Sequence, residues 1–144
     1  MSGYVVDASV AVKWLVTEMY SDRALRLLRD DVTRIAPELL FAEAGNALWA
    51  MSRRGDIGKD DFAEAMDVLK AAPIAVPVPT SRLIGAAGQL ALDLDHPVYD
   101  CVYLALALQE QYPVVTADQR FYDTVRRHPY LSDRMVHVRD LDQI

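Results

Sequence analysis

Four acidic residues occupy positions from which carboxylates could take part in chemistry. Asp7 follows the apolar run YVV, and Asp118 lies just past the run PVVT. Glu43 is the only charged residue of LLFAEAGNALWAM, and Asp100 stands near the start of the apolar stretch PVYDCVYLALALQ. Carboxylates held close together repel one another, and a hard divalent cation can supply the compensating charge. Such an ion can activate water and stabilise an in-line displacement at phosphorus.

Each acid also has an ordinary structural explanation. Asp7 and Asp118 both suit the N-cap of a following helix, where an acidic side chain accepts backbone N–H groups. Asp100 lies in a first helical turn, where a carboxylate gains about 0.3–1 kcal/mol from the helix dipole. Glu43 could be an exposed acid on a mixed helix, with Asn46 on the same face. Only convergence of all four would favour a shared site, so the elements that position them matter.

Apolar runs of strand length alternate with helical patterns along the chain. The predicted strands cover residues 4–7, 33–36, 74–78, 113–116 and 135–138. The predicted helices cover residues 8–15, about 20–31, 37–51, 59–71, 80–94, 97–111 and 118–127. This alternation predicts an α/β fold with a short parallel sheet of about five strands, right-handed crossovers and helices on both faces. We expect residues 1–144 to form one domain.

The topology of such a sheet brings the acids to one edge. Asp7 and Asp118 follow strands and therefore lie at the carboxyl edge. Glu43 lies in the early turns of a helix that starts from that edge, and Asp100 opens a helix that leads into a strand. Ligands of open α/β sheets bind outside the carboxyl ends of the strands. The sequence thus predicts a site of four carboxylates at this edge.

The composition limits the classes of protein. The chain has 144 residues, of which 52% are hydrophobic and 25% charged, as in ordinary globular proteins. Its net charge of −6 argues against a protein that coats nucleic acid, but a metal ion bound by acids can reverse the charge locally. The sequence has neither an apolar run of membrane-spanning length nor a recognisable signal peptide, and we expect a soluble, cytoplasmic protein.

Cysteine and histidine offer little as metal ligands. The single cysteine, Cys101, excludes an internal disulfide and a cysteine-based zinc cluster, and its apolar helix predicts a core position. The histidines His96, His128 and His137 are scattered without metal-ligand spacing. Magnesium held by carboxylates is therefore favoured over zinc.

Four stretches give the sequence a family resemblance. They are VVDASVAVKWLV, PELLFAEAGNALW, HPVYDCVYLALALQ and PVVTADQRFY. In their order and spacing the sequence resembles PIN-domain ribonucleases, and more closely the VapC toxins of toxin–antitoxin pairs. The resemblance spans roughly residues 4–140 and implies a PIN-like three-layer α/β/α sandwich.

The resemblance implies cleavage of RNA that depends on Mg²⁺ or Mn²⁺. Asp7 and Asp100 match direct metal ligands, while Glu43 and Asp118 match acids that complete the site through waters or a second ion. We expect Asp118 to be a metal ligand together with Asp7 and Asp100. All four acids are expected to be catalytic.

Four further residues are candidates for binding substrate or orienting the site. Ser9 and Thr116 match hydroxyl positions that orient carboxylates or water, although they equally suit helix-capping and strand positions. Arg120 follows Asp118 by two residues at the same edge, where it could contact an RNA phosphate or instead form a solvated surface ion pair. Lys13 is a weaker candidate for the phosphate contact.

The resemblance also implies protein partners. It predicts a homodimer and a VapB-type antitoxin, which would form a hetero-oligomer with the toxin and could insert a basic side chain among the acids. Trp14, Leu15, Met19 and Tyr20 could line the groove for this antitoxin, or could simply belong to the core. No membrane partner is expected.

Other function classes stay open on the sequence alone. A phosphoacceptor receiver domain would need neighbouring acids after the first strand and a lysine after a late strand. A phosphatase of the haloacid-dehalogenase type would need a second Asp where Ser9 stands. A non-catalytic, RNA-binding PIN domain would not need the complete set of four acids.

Overall fold

The computed structural model describes residues 2–143, in which strands and helices alternate. The strands are β1 (Ser2–Val6), β2 (Val32–Ile35), β3 (Val114–Thr116) and β4 (Met135–His137). The α-helices are α1 (Ala8–Leu15), α2 (Ser21–Leu25), α3 (Leu39–Arg53), α4 (Lys59–Lys70), α5 (Thr80–Leu94), α6 (Val98–Glu110) and α7 (Gln119–Arg126). Short 3₁₀ helices cover Arg26–Leu28, Ser132–Arg134 and Val138–Gln143. The helix predicted at about 20–31 is divided between α2 and the first 3₁₀ helix.

The strands form one parallel sheet in the order β2-β1-β3-β4. β1 pairs with both β2 and β3, and β3 also pairs with β4. Helices pack on both faces, which gives a three-layer α/β/α sandwich. Strands covered on both faces carry continuous apolar runs, and Val5, Val6, Val114 and Val115 are fully buried. The predicted fold class is confirmed.

The sheet has four strands, because the segment predicted as a strand at 74–78 makes only one parallel bridge. Ala75 pairs there with Ile35: the N–H of Ala75 donates to Arg34 at 3.1 Å, and its carbonyl accepts the N–H of Ala36 at 3.0 Å. Proline supplies no ladder donor, and the carbonyl of Pro73 is taken by the Arg34 guanidinium at 2.9 Å. Pairing therefore ends after one residue.

Helix α6 is the buried helix that the sequence predicted. Its residues from Cys101 to Ala107 are all buried, so Cys101 is a core residue as expected. The preceding helix α5 ends where Asp95 adopts a left-handed conformation (φ 50°) and the N–H of His96 donates to the carbonyl of Ala91 at 3.1 Å. This Schellman-type ending turns the chain directly into α6 through His96.

No helix within residues 2–143 is both long enough and apolar enough to cross a bilayer.

Candidate active site

Asp7 is a buried carboxylate held by two hydroxyl groups. Its Oδ2 atom accepts hydrogen bonds from Ser9 Oγ at 2.5 Å and from Thr116 Oγ1 at 2.8 Å. The two hydroxyl oxygens in turn accept the N–H groups of Ala117 (2.9 Å) and Asp118 (3.0 Å). Each hydroxyl proton is thus directed at Asp7, while the hydroxyl oxygens fix the turn between β3 and α7.

Capping does not explain the position of Asp7. The residue is the N-cap of α1, but its side chain makes no capping hydrogen bond. Ser9 lies in the first turn of α1 and Thr116 ends β3, and from these positions both hydroxyl groups donate to the Asp7 carboxylate.

The electrostatic environment of Asp7 disfavours a negative charge. Burial is the main cause that raises its pKa to about 6, and the negative charges of Asp100 and Glu43 act in the same direction. The hydrogen bonds from Ser9 and Thr116 oppose these effects because they favour the ionised form. The ionised carboxylate is therefore poorly compensated by the protein itself.

Asp100 pairs with a histidine that immediately precedes its helix. Asp100 Oδ2 lies 2.6 Å from His96 Nε2, and the imidazole is nearly buried and stacked on the ring of Phe121. Burial raises the pKa of Asp100, the bond with His96 lowers it, and the charge of Asp118 raises it again. The stacking fixes the imidazole plane, so it also fixes the direction from which Asp100 is held.

Glu43 is held by a buried tyrosine. The hydroxyl of Tyr103 donates to Glu43 Oε1 at 2.7 Å, which joins α6 to α3. Burial raises the pKa of Glu43, and the charge of Asp100 raises it further against the effect of the Tyr103 bond. Burial also raises the pKa of Tyr103 far above its usual value, so the phenol remains a donor at any working pH.

Asp118 is the most exposed of the four acids. It caps α7, because its Oδ1 atom accepts the N–H of Phe121 at 3.1 Å. The capping explanation is therefore correct for this residue. Its other oxygen is still available, and its charge acts on Asp100.

The fold brings the four predicted acids within range of one another's charges. Asp7 interacts with Asp100 and Glu43, Glu43 with Asp100, and Asp100 with Asp118. Within residues 2–143, however, no group of three His, Cys, Asp or Glu side chains is spaced to hold a metal ion as the side chains stand. Each of the four carboxylates is instead hydrogen-bonded to a neighbouring group of the protein.

The carboxylate oxygens of the four acids are nevertheless suitable ligands for a hard divalent cation. Across the described part of the chain, one oxygen of each acid accepts no hydrogen bond: Asp7 Oδ1, Glu43 Oε2, Asp100 Oδ1 and Asp118 Oδ2. Mg²⁺ prefers carboxylate oxygen and keeps several waters, so one or two direct carboxylates suffice. The residues therefore fit the ion chemically through these open carboxylate oxygens.

The two basic candidates differ in their availability. Arg120 is exposed in the first turn of α7 and makes no ion pair with any residue of the described range 2–143. Lys13 is buried, pairs with Glu18 at 3.1 Å and donates to the carbonyl of Met19 at 2.6 Å. Lys13 is therefore engaged in internal contacts, which leaves Arg120 as the more accessible of the two candidates for a phosphate contact.

Sequence reasoning missed the contributions of His96 and Tyr103. His96 precedes Asp100 by four residues, a spacing that places two side chains side by side at a helix start. Tyr103 lies on an otherwise apolar helix, and a buried phenol almost always has a hydrogen-bond partner. Both signals were present, but neither identifies the partner from sequence alone.

Away from the acids, a groove runs between the end of α1 and helix α4. Two adjoining cavities of about 360 and 420 Å³ share Trp14, Leu15, Glu64 and Val68. Their rims also carry Asp61 and Asp67. Trp14 is anchored because its indole N–H donates to the carbonyl of Ala24 at 2.8 Å. Trp14 and Leu15 line this groove, whereas Met19 and Tyr20 do not.

The sequence matches a known family and its members. The profile of the PIN domain matches residues 4–126. "Ribonuclease VapC1" of Mycobacterium tuberculosis (strain CDC 1551 / Oshkosh) is 35% identical over 124 residues, covering 83% of this chain and 89% of that protein.

Solved structures share the fold at lower identity. PAE2754 from Pyrobaculum aerophilum has a TM-score of 0.66 at 21% identity, covering 97% of this chain and 92% of that one. VapC20 of M. tuberculosis, described as a sarcin-ricin loop cleaving toxin, has a TM-score of 0.63 at 15% identity, covering 85% of this chain and 94% of that one. Since the family profile spans most of the sequence and a relative is 35% identical, the chain belongs to the PIN-domain family.

Proposed function

We propose that this chain is a metal-dependent ribonuclease and the toxin of a VapBC-type toxin–antitoxin pair, with residues 1–144 forming one PIN domain. The observation that carries the proposal is the convergence of Asp7, Glu43, Asp100 and Asp118 from four different parts of the chain at one sheet edge. A similar relative named a ribonuclease supports the same activity.

The proposed metal ligands are Asp7, Asp100 and Asp118, with Glu43 completing the catalytic set. Bound Mg²⁺, or Mn²⁺ in its place, would supply activation of water and stabilisation of charge at phosphorus. Ser9 and Thr116 orient Asp7 toward this position through the hydrogen bonds described above. His96 and Tyr103 act behind Asp100 and Glu43 in the same way, as partners that fix the direction of a carboxylate.

The competing functions are less well supported by the residues present. Ala8 follows Asp7, so the second acid of a phosphoacceptor pocket is missing at that position. A non-catalytic RNA-binding domain gives no reason for four acids at one edge, since acids repel RNA. Metal-dependent cleavage explains why four acids lie together at one edge despite their mutual repulsion.

The groove along α1 and α4 is the proposed site for the antitoxin. Its lining includes the apolar side chains of Leu15 and Val68 and the acidic side chains of Asp61, Glu64 and Asp67. An amphipathic segment with apolar anchors and flanking Lys or Arg residues complements both features. The complete assembly would be a homodimer or a toxin–antitoxin hetero-oligomer.

The first prediction tests catalysis. Asp7→Asn and Asp100→Asn should each reduce cleavage of end-labelled RNA in Mg²⁺ by more than the roughly 10–100-fold typical for loss of a residue behind a metal ligand. Asp133→Asn, which alters an exposed acid far along the chain, is the control and should cleave normally. EDTA should abolish cleavage by the wild type. Near-normal turnover of either site variant at saturating Mg²⁺ would exclude its role as a ligand.

The second prediction concerns stability without metal. The pKa of Asp7 is about 6 in the folded protein, against 3.8 as its ordinary value. The folded state therefore binds the extra proton, and stability falls as pH rises through about 6. Asp7→Asn removes this loss, so in EDTA it should raise the free energy of unfolding at pH 7.5 by up to about 3 kcal/mol. Near pH 4 the gain should be much smaller.

Urea unfolding of the wild type and Asp7→Asn at both pH values measures this difference directly. The comparison cancels the titration of all groups that do not interact with Asp7. Equal effects of the substitution at pH 7.5 and pH 4 would contradict the electrostatic explanation. Added Mg²⁺ should stabilise the wild type and leave Asp7→Asn nearly unchanged.

The third prediction concerns RNA binding by Arg120. If its exposed guanidinium contacts a phosphate, Arg120→Ala should weaken binding of all RNA sequences similarly and reduce the slope of log affinity against log salt by about one. Fluorescence anisotropy in EDTA, which prevents cleavage, measures the slope. Arg127→Ala at the opposite end of α7 is the matched control. An unchanged slope, or a defect confined to one sequence, would argue against a phosphate contact.

The fourth prediction tests the antitoxin groove. Val68→Asp should weaken binding of the cognate antitoxin at least about tenfold, since it places a charge at the apolar centre of the groove, while RNA cleavage should persist. Ile84→Asp on α5 is the control, because Ile84 is 49% exposed against 51% for Val68 and lies outside the groove. Equal affinity of Val68→Asp and wild type, measured by titration calorimetry, would place the antitoxin elsewhere.

A further inference from the structure

A small pocket adjoins the acids on the side of Glu43. It has a volume of about 300 Å³ and is lined by Leu39, Ala42, Glu43, Asn46 and Tyr99. Tyr99 is 66% exposed although it stands directly before Asp100 at the start of a largely buried helix. The proposed catalysis uses neither Tyr99 nor Asn46.

The walls of this pocket are fixed by the bond between α3 and α6. Tyr103 donates to Glu43, and Tyr99 lies one turn earlier than Tyr103 on α6. Asn46 lies about one turn later than Glu43 on α3, and its side chain is exposed. Residues three or four apart share a helix face, so the bond that holds Glu43 also sets Tyr99 and Asn46 around the same pocket.

We propose that this pocket binds a nucleobase of the RNA substrate, with the base stacked on Tyr99 and its edge hydrogen-bonded by the Asn46 side-chain amide. The inference rests on the proposed ribonuclease function and names a substrate-specificity site for it. Splayed bases of single-stranded RNA are commonly recognised by stacking on aromatic side chains and by hydrogen bonds to their edges.

The chemistry of the lining selects a base over a phosphate. Its only charged residue is Glu43, which repels phosphate, whereas Leu39 and Ala42 offer apolar contact to a flat ring. The amide of Asn46 both donates and accepts hydrogen bonds, as the edge of a base does. Glu43 lines the pocket and lies within range of the charge of Asp100, so a base in this pocket would leave its neighbouring phosphates close to Asp100.

Substitution of Tyr99 tests the stacking. Tyr99→Ala should weaken binding of fluorescein-labelled single-stranded homopolymeric RNA in EDTA by about 5- to 100-fold, and kcat/KM for RNA cleavage in Mg²⁺ should fall by a similar factor. Tyr99→Phe keeps the ring and should retain both values. Tyr130→Ala is the matched control, because Tyr130 is also highly exposed, at 85%, but does not line the pocket.

An abasic RNA separates stacking from other contacts of Tyr99. An oligonucleotide with one abasic residue beside the mapped cleavage position should be cut more slowly by the wild type. In Tyr99→Ala the ring that would stack on the base is absent, so removal of the base should no longer slow cleavage. Equal sensitivity of wild type and Tyr99→Ala to the abasic residue would overturn the proposal.

Asn46→Ala tests hydrogen bonding to the base edge. It should reduce the differences in affinity among poly(A), poly(C), poly(G) and poly(U), with a smaller loss of overall affinity than Tyr99→Ala. Unchanged differences among the four homopolymers would overturn the role of the amide.

The outcomes distinguish this inference from the proposed function. Metal-dependent cleavage that is normal in Tyr99→Ala would overturn the base pocket and leave the nuclease intact. Absence of cleavage by the wild type, with RNA binding still weakened by Tyr99→Ala, would contradict the nuclease and support the pocket. A change in sedimentation mass of Tyr99→Ala with unchanged RNA affinity would assign Tyr99 to a contact between protein chains and overturn the proposal.

Discussion

The hydrogen bonds to the buried carboxylate of Asp7 are the constraint around which this edge of the sheet is arranged. A buried charge is costly unless it is paired or hydrogen-bonded, and Ser9 and Thr116 direct their protons to the same oxygen. Their own oxygens then accept backbone N–H groups that lead into α7. One carboxylate therefore joins the end of β1, the start of α1 and the end of β3. The remaining charge repulsion is what the proposed cation would offset.

Burial of helix α6 likewise makes hydrogen-bond partners necessary around Asp100 and Glu43. Seven consecutive residues from Cys101 to Ala107 are buried, so polar groups at this end of the helix need partners from neighbouring elements. Asp100 is hydrogen-bonded to His96, which follows the end of α5, and the hydroxyl of Tyr103 donates to Glu43 on α3. These contacts satisfy buried groups and at the same time direct two carboxylates. Structural and functional roles therefore coincide here.

Much of this arrangement could be predicted because it follows from local patterns. Apolar runs and helical periodicity located the parallel strands, and the rule for their carboxyl ends located Asp7 and Asp118. The segment at 74–78 failed as a strand because its pairing depends on prolines and on the distant Arg34. The commitment of Lys13 to Glu18 depends equally on tertiary packing. Sequence patterns identify which residues lie at an edge, but not which donor each side chain selects.

The distribution of charge separates the proposed substrate and partner surfaces. A net charge of −6 repels RNA as a whole, so binding near the acids requires either a local cation, such as exposed Arg120, or contacts with uncharged bases, such as those of Tyr99. The same negative charge favours a basic partner at the groove. Helix α1 begins beside Asp7 and ends at Trp14 and Leu15, about 12 Å away at 1.5 Å per residue. A partner seated in the groove would therefore be separated from the acids by the length of α1, whose residues from Val10 to Lys13 are buried, so a basic side chain could reach the acids only by passing around this helix.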